Sequence, residues 1–200
     1  TPVDDTDTGR TGALEGSFSV GPDNPLDLTK RTIRAVSITG GGALVGVSVA
    51  MASVSVFSNV TATLEGDVEK AASLAVQAVC DYPNVLAATL TASVGGAAAG
   101  ASVAATVFGA TVESSIRGSA VISQTPDIRV SSRLNANPIA GAGAFAAGGV
   151  SINGAIALVV NLSRVDTYIG RGVTINRSGS SAVDVRADVD TTSRAYLLSV

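Results

Sequence analysis

The sequence predicts an all-β protein, a parallel β-helix or β-solenoid, in which each strand pairs with its equivalent in the next coil. Two observations predict this class. Similar segments return about every 53 residues, and apolar residues inside them alternate with small or polar ones. A fixed long period is typical of repeat proteins, whose units bury their apolar faces against neighbouring units. Alternation with a period of two indicates strands.

Each repeat contains the same features in the same order. A glycine cluster is followed by an apolar run, a glycine-containing turn and a short strand such as LAVQA or VDVRA. The glycine clusters are Gly40-Gly41-Gly42, Gly95-Gly96 and Gly148-Gly149, and the turns are ATLEGDV at 62–68, SSIRGSAVI at 114–122 and DTYIGRGVTI at 166–175. Chance similarity in a chain rich in Ala, Gly and Val is the alternative. Because several features keep one spacing, we interpret them as a repeat.

The domain organisation follows from this period. Residues 1–31 do not fit the repeat and are expected to form a flexible connector or a cap. The solenoid extends over residues 32–200, with repeats at about 32–89, 90–142 and 143–195 and a fourth, truncated repeat. Because one coil commonly takes roughly 20–30 residues, we expect two coils in each repeat and about six coils in all, stacked about 4.8 Å apart.

The apolar runs favour strands over helices. In the first run, Val47, Val49 and Met51 point to one side, whereas Ser48 and Ala50 point to the other. The strongest contrary signal is residues 67–81, which are rich in Ala and free of Gly and Pro, as in a helix. The equivalent segments of the later repeats, QTPDIRV and RSGSSAVDV, are poor helix formers, so we expect a strand here too.

Membrane helices are the second structural alternative. Residues 35–64, 86–112 and 134–163 carry no charge, and about 20 apolar residues suffice to cross a bilayer. These stretches are rich in Gly, Ser and Thr, keep a period of two, and lack flanking basic clusters and aromatic belts. We therefore interpret them as strands.

The composition argues against several classes of function. The chain has no His and one Cys, Cys80, so we expect no His-based triad, no His metal site and no intrachain disulfide. We expect Cys80 to lie in a loop at the end of a strand as a buried or idle thiol, with cross-linking between chains as the alternative. The net charge of -3 leaves no basic face for nucleic acid. We predict no cofactor and no enzymatic activity.

One carboxylate cluster keeps a catalytic alternative open. Asp166, Asp184, Asp188 and Asp190 lie in the third repeat and its continuation, and some β-helix enzymes cut acidic polysaccharides with Asp residues and Ca²⁺. The spacing along the last strand places three of the four on one side. A solvated outer face is the simpler interpretation, because calcium-loop repeats of the G-G-x-G-x-D type are absent from the sequence.

The repeat resembles those of very large secreted bacterial proteins, the filamentous adhesins and repetitive leukotoxins. The resemblance is carried by a glycine pair, GVSVA at 46–50, TYIGRGVTI at 167–175 and AVDVRAD at 182–188. The third repeat matches best, whereas the second lacks the Tyr and has Arg117 where Gly170 stands. The resemblance implies a right-handed parallel β-helix at a cell surface and implies no catalytic residues. The usual right-handedness of parallel crossovers points the same way.

These observations predict a structural or adhesive extracellular segment, such as a stalk, an adhesin shaft or the subunit of a surface fibre. Its expected partners are other copies, end to end or side by side, neighbouring repeats of a longer chain, or a host surface or matrix. A membrane-interacting, leukotoxin-like segment is the alternative, and a polysaccharide-degrading enzyme is a weaker one. The predicted assembly face consists of small residues that let another backbone approach closely: Gly95, Gly96, Ala99, Gly100, Gly148 and Gly149.

Overall fold

The computed structural model describes residues 32–176 and 182–200, and every regular element in these ranges is a strand. The predicted N-terminal connector or cap, residues 1–31, lies outside the described residues. The strands are β1 (Thr32–Leu64), β2 (Ser73–Ile116), β3 (Val121–Ser123), β4 (Asp127–Ala147), β5 (Val150–Asn161), β6 (Arg164–Ile169), β7 (Thr174–Asn176), β8 (Ala182–Thr191) and β9 (Arg194–Ser199).

The prediction of an all-β protein with parallel strands is confirmed. The ambiguous segment 67–81 enters β2 at Ser73. The first two uncharged stretches lie wholly in strands, and the third lies in β4 and β5 except for the residues at 148–149 and 162–163. In the described part of the chain, no helix is long and apolar enough to cross a membrane. Repeated Val, Ile and Thr at alternate positions favour this outcome, because β-branched side chains pack well on a pleated surface.

All named strand pairs are parallel, and they keep nearly one separation along the chain. Thr32 lies opposite Asn84, Ala97 opposite Val150 and Asp127 opposite Ala182, which are separations of 52, 53 and 55 residues. The main sheet has the order β1-β2-β4-β8, β5 and β6 also pair with β2, and β9 also pairs with β4. A second sheet consists of β3 and β7. The pairing therefore follows the period of the sequence.

The expectation of two coils in each repeat is wrong. Paired residues lie a full repeat apart, so one level of the stack takes 52–55 residues. The physical reason is strand length. Extended backbone continues through the glycine clusters and past Pro83, so that β1 and β2 contain 33 and 44 residues.

The strand β2 reverses direction at the pair Gly95-Gly96. The hydroxyls of Thr89 and Ser102 are 3.0 Å apart, and the Ser93 hydroxyl donates to the carbonyl of Ala99 at 2.8 Å. These contacts require the two halves of the strand to face each other. In the next level the halves are separate strands, since β4 pairs with residues 73–94 and β5 pairs with residues 97–108.

Each level therefore has two arms packed face to face, which we call outgoing and returning. The outgoing arms precede a glycine cluster and the returning arms follow it. The outgoing arms are residues 32–43, residues 73–94, β4, and β8 with β9; the returning arms are residues 45–64, residues 97–116, and β5 with β6.

The layer between the arms is thin near the glycine clusters and thicker at the other end. Near the clusters it contains small side chains such as Ser48, whose hydroxyl lies 2.5 Å from that of Ser93. Farther away it contains Phe108, which is fully buried against the edge of Tyr82 with 5.6 Å between ring centroids. Cys80 is also buried in this layer, as predicted, but it lies within β2, so its predicted position in a loop is wrong.

Candidate functional site

Charged side chains lie away from the glycine-cluster end of the returning arms. Residues 45–64, 97–112 and 150–163 contain no Asp, Glu, Lys or Arg. Charges begin just beyond them, where Arg117 donates to Glu65 at 2.6 Å and the Tyr168 hydroxyl donates to Glu113 at 2.9 Å. The hydrogen bond with Glu65 is the main cause that raises the pKa of Arg117 above its ordinary value. This guanidinium therefore stays charged at physiological pH.

The outer side of the uncharged returning arms is an exposed apolar face, which we call the returning face. It comprises the outward side chains of residues 45–57, 97–109 and 150–162. Alternation points the small residues Ser48, Ala50 and Ala52 inward, because the facing arm leaves little room near the glycine clusters. The large neighbours point outward, so that Val47 is 60% exposed and Met51 is 72% exposed.

The returning face has a groove along its central strand. Val47, Ala99 and Ile152 form one row across the three levels, so that a small residue lies between two large ones. At the far end Gly109 lies between Phe57 and Leu162 in the same way. Two depressions, of about 250 and 290 Å³, occur at these two rows.

The glycine pairs predicted to form an assembly face lie at the reversals of the chain and contact each other between levels. A Cβ on Gly95 would overlap the carbonyl oxygen of Ala43, and a Cβ on Gly148 would overlap that of Gly95. A Cβ on Gly149 would lie 3.2 Å from the carbonyl oxygen of Gly96. These glycines therefore serve close stacking inside the molecule.

The predicted placement of Ala99 and Gly100 on one assembly face is wrong for Gly100. Successive residues of a strand point to opposite sides, and only Ala99 lies on the returning face. Gly100 is buried between the arms, where a Cβ would lie 3.4 Å from the Thr91 hydroxyl oxygen and 3.4 Å from Asn153 Oδ1. A lysine at Gly100 would therefore disrupt this layer.

The interior near Gly100 holds oxygens without partners among the described residues. These are the Thr39 hydroxyl, the Thr91 hydroxyl and Asn153 Oδ1, while Asn153 Nδ2 donates to the carbonyl of Val200. A buried polar atom without a hydrogen bond costs about 1–3 kcal/mol. No sequence pattern indicates this cluster, because Thr91 and Asn153 are 62 positions apart and meet only when the arms stack.

The four aspartates of the catalytic alternative do not meet. The Thr167 hydroxyl donates to the carbonyl of Arg186 at 3.2 Å, so Thr167 faces the outgoing arm and Asp166 points outward from the returning arm. Asp184 lies on the outgoing side, 3.3 Å from Arg129, and Asp188 lies 3.1 Å from Arg186. Within residues 32–176 and 182–200, no three acidic or Cys side chains group as metal ligands would.

Comparisons of the chain with protein-family models, with curated proteins and with solved structures found no match. The returning face was not predicted as a site, although its signal was present in the sequence. Val47, Val49 and Met51 all fall on one side of the alternation. The alternation by itself does not tell which of the two sides of the strand points outward.

Proposed function

We propose that this chain is a structural segment of a right-handed parallel β-solenoid, a stalk, shaft or fibre subunit at a cell surface. The constant parallel register supports this function. Because every level pairs with the next at a separation of 52–55 residues, each level offers the next one an almost identical edge. A stack built in this way gains length by repetition, as a shaft requires.

A short third segment in each level, after the two arms, supports a solenoid as the path of the chain. After the returning arm, Val68 bridges to Ile122 in the next level, and β3 pairs with β7 one level farther. The chain thus passes an outgoing arm, a returning arm and a short strand before it rises to the next level. With levels about 4.8 Å apart and about 3.3 Å per residue, arms of about 20 residues give a cross-section roughly 65 Å long.

The proposed adhesive role and the extracellular location come from the resemblance to adhesin repeats. A host surface or matrix, or further copies of the chain, are the partners that such a shaft would contact. The ion pairs at the end of the arms away from the glycine clusters are exposed, as in the pair of Arg129 with Asp184. These exposed ion pairs support a surface that faces solvent.

An engineered disulfide tests the register on which the proposal depends. Gln77 and Ser131 are directly paired on the outer side of the outgoing arms. In a Cys80→Ala background, cysteines at these two positions should oxidise to an intrachain disulfide, because paired Cα atoms lie about 5 Å apart. Cysteines at Gln77 and Arg133 are the control, since two residues of offset exceed the roughly 7 Å limit. Equal oxidation of both pairs would contradict the register.

Insertion of extra repeats tests the structural role. Four added copies of residues 90–142 should fold and lengthen the particle by about 19 Å along the stacking axis in electron micrographs. Four copies of residues 90–128 break the period and should misfold. If the longer repeat also fails to fold, the chain is not an extendable stack.

A membrane-interacting toxin segment remains the second candidate, and the uncharged returning face is the observation that favours it. An apolar surface of this kind can partition into a bilayer interface. Leakage of a dye from phosphatidylcholine vesicles at nanomolar protein would support this candidate. Intact vesicles at micromolar protein would support the structural proposal.

A further inference from the structure

The returning face is a large, continuous apolar surface. At about 3.3 Å per residue and about 4.8 Å per strand, its three stretches cover roughly 43 by 14 Å, or about 600 Å². That area is at the upper end for the largest apolar patch of a monomer. Its exposed large side chains are Val45, Val47, Val49, Met51, Phe57, Val150, Ile152, Ile156, Leu158 and Leu162.

We propose that the returning face binds the returning face of a second copy of this chain, in a symmetric side-by-side dimer. A row of large side chains faces the groove of the other copy only when the two faces are offset by one strand, so that two of the three stretches overlap. About 800 Å² would then be buried together, which is the size of a weak, reversible interface. Two sheets can pack in this way with about 10 Å between them. The inference deepens the proposed function and rests on it, because it names the partner of a self-associating shaft.

The shape of the face favours a second copy as the occupant. The groove is lined by small residues, including Ala99, Ala101 and Gly109, and it lies between two rows of large side chains. If the two-fold axis runs parallel to the strands, a row of large side chains from each copy enters the groove of the other. A surface that carries both a ridge and a matching groove is self-complementary, as a two-fold interface requires.

The charge distribution also favours this face. The returning face carries no ionisable side chain that would attract a polyanion, an acidic peptide or a lipid headgroup. The opposite outer side, on the outgoing arms, carries exposed Arg34 and Arg194 beside its apolar residues. The outgoing side also carries exposed acids such as Asp184 and Asp188, so dimer formation there would bury ionised groups of both signs, whereas the returning face has none to bury.

Two valines of the same strand provide a matched test. Val47 lines the groove on the returning face, and Val36 is exposed on the opposite outer side of β1. The full chain should sediment as a dimer at micromolar concentration. Val47→Lys should raise the dimer dissociation constant by about a hundredfold or more, because the ammonium group would be buried without a partner. Val36→Lys should leave the constant nearly unchanged.

A groove-filling variant separates a dimer from a membrane contact. Ala101→Leu adds apolar surface in the centre of the groove, between Val49 and Gly154. It should weaken the dimer, because the ridge of the other copy no longer fits, but it should strengthen any binding to phosphatidylcholine vesicles in a flotation assay. A monomeric wild-type chain, a dimer that tolerates Val47→Lys, or a chain that floats with vesicles would each overturn the inference.

The disulfide between positions 77 and 131 separates failure of this inference from failure of the proposed function. If the disulfide forms in a monomeric protein, the stack is intact and only the dimer is refuted. If the disulfide does not form, the register itself is wrong, and the proposed function fails with it.

Discussion

Replacement of Gly148 by alanine tests whether the glycine pairs are required for stacking between levels. The new Cβ would overlap the carbonyl oxygen of Gly95, which belongs to the backbone one level below. Gly148 does not have a positive φ, since among the described glycines only Gly118 and Gly172 do. The cost of the substitution is therefore steric and not conformational.

The magnitude follows from two opposing effects. Overpacking that moves a backbone costs about 1–3 kcal/mol, and the upper end applies here because strand pairing holds the carbonyl in place. Replacing glycine with alanine at a backbone conformation that alanine can adopt stabilises a protein by about 0.4–1 kcal/mol, because the unfolded chain loses freedom. We expect Gly148→Ala to lower the free energy of unfolding by about 2 kcal/mol. Gly141→Ala is the matched control: no atom lies within 4 Å of its added Cβ, and the protein should become slightly more stable.

Urea unfolding followed by circular dichroism measures both variants. Gly95→Ala should behave like Gly148→Ala, because its Cβ meets the carbonyl of Ala43 in the same way. The double variant should cost at least the sum, since a shift of residue 95 away from Ala43 moves its carbonyl towards the Cβ at position 148. The reasoning is refuted if Gly148→Ala and Gly141→Ala have the same stability within about 0.5 kcal/mol, the scatter expected of an ordinary surface substitution.

Two further predictions concern the buried layer, and both are measured as free energies of unfolding in urea. Phe108→Ala should cost about 3–5 kcal/mol because the ring is fully buried. Phe57, by contrast, is 71% exposed, so Phe57→Ala should cost less than about 1 kcal/mol. Similar losses in the two variants would contradict the faces assigned to these residues. Thr91→Val removes a buried hydroxyl without a partner among the described residues, and it should be neutral or stabilising. Thr89→Val breaks the hydrogen bond to Ser102 and should cost about 1–3 kcal/mol. A larger loss of stability for Thr91→Val than for Thr89→Val would show that the Thr91 hydroxyl is hydrogen-bonded.

The candidate surface was only partly predictable from the residues. The glycine pairs were correctly identified as places of close backbone approach, but the backbone that approaches is the next level of the same chain. Whether a strand contact is internal or external depends on what lies beside it, and a sequence pattern does not contain that information. The separation of Asp166 from Asp184 has the same cause, because the two residues lie on arms that face in opposite directions.

The sequence by itself determined the strand conformation and the period of about 53 residues. Both are local properties: alternation of apolar residues sets the pleat, and glycines recur wherever a level must reverse or stack closely. Only the tertiary structure decided that one repeat is one level, because residues 73–94 and 97–116 become separate arms through contacts such as that of Thr89 with Ser102. It also decided that Ser48 is buried and Val47 exposed. The narrow gap between the arms admits only small side chains there, so the large apolar residues form the outer face.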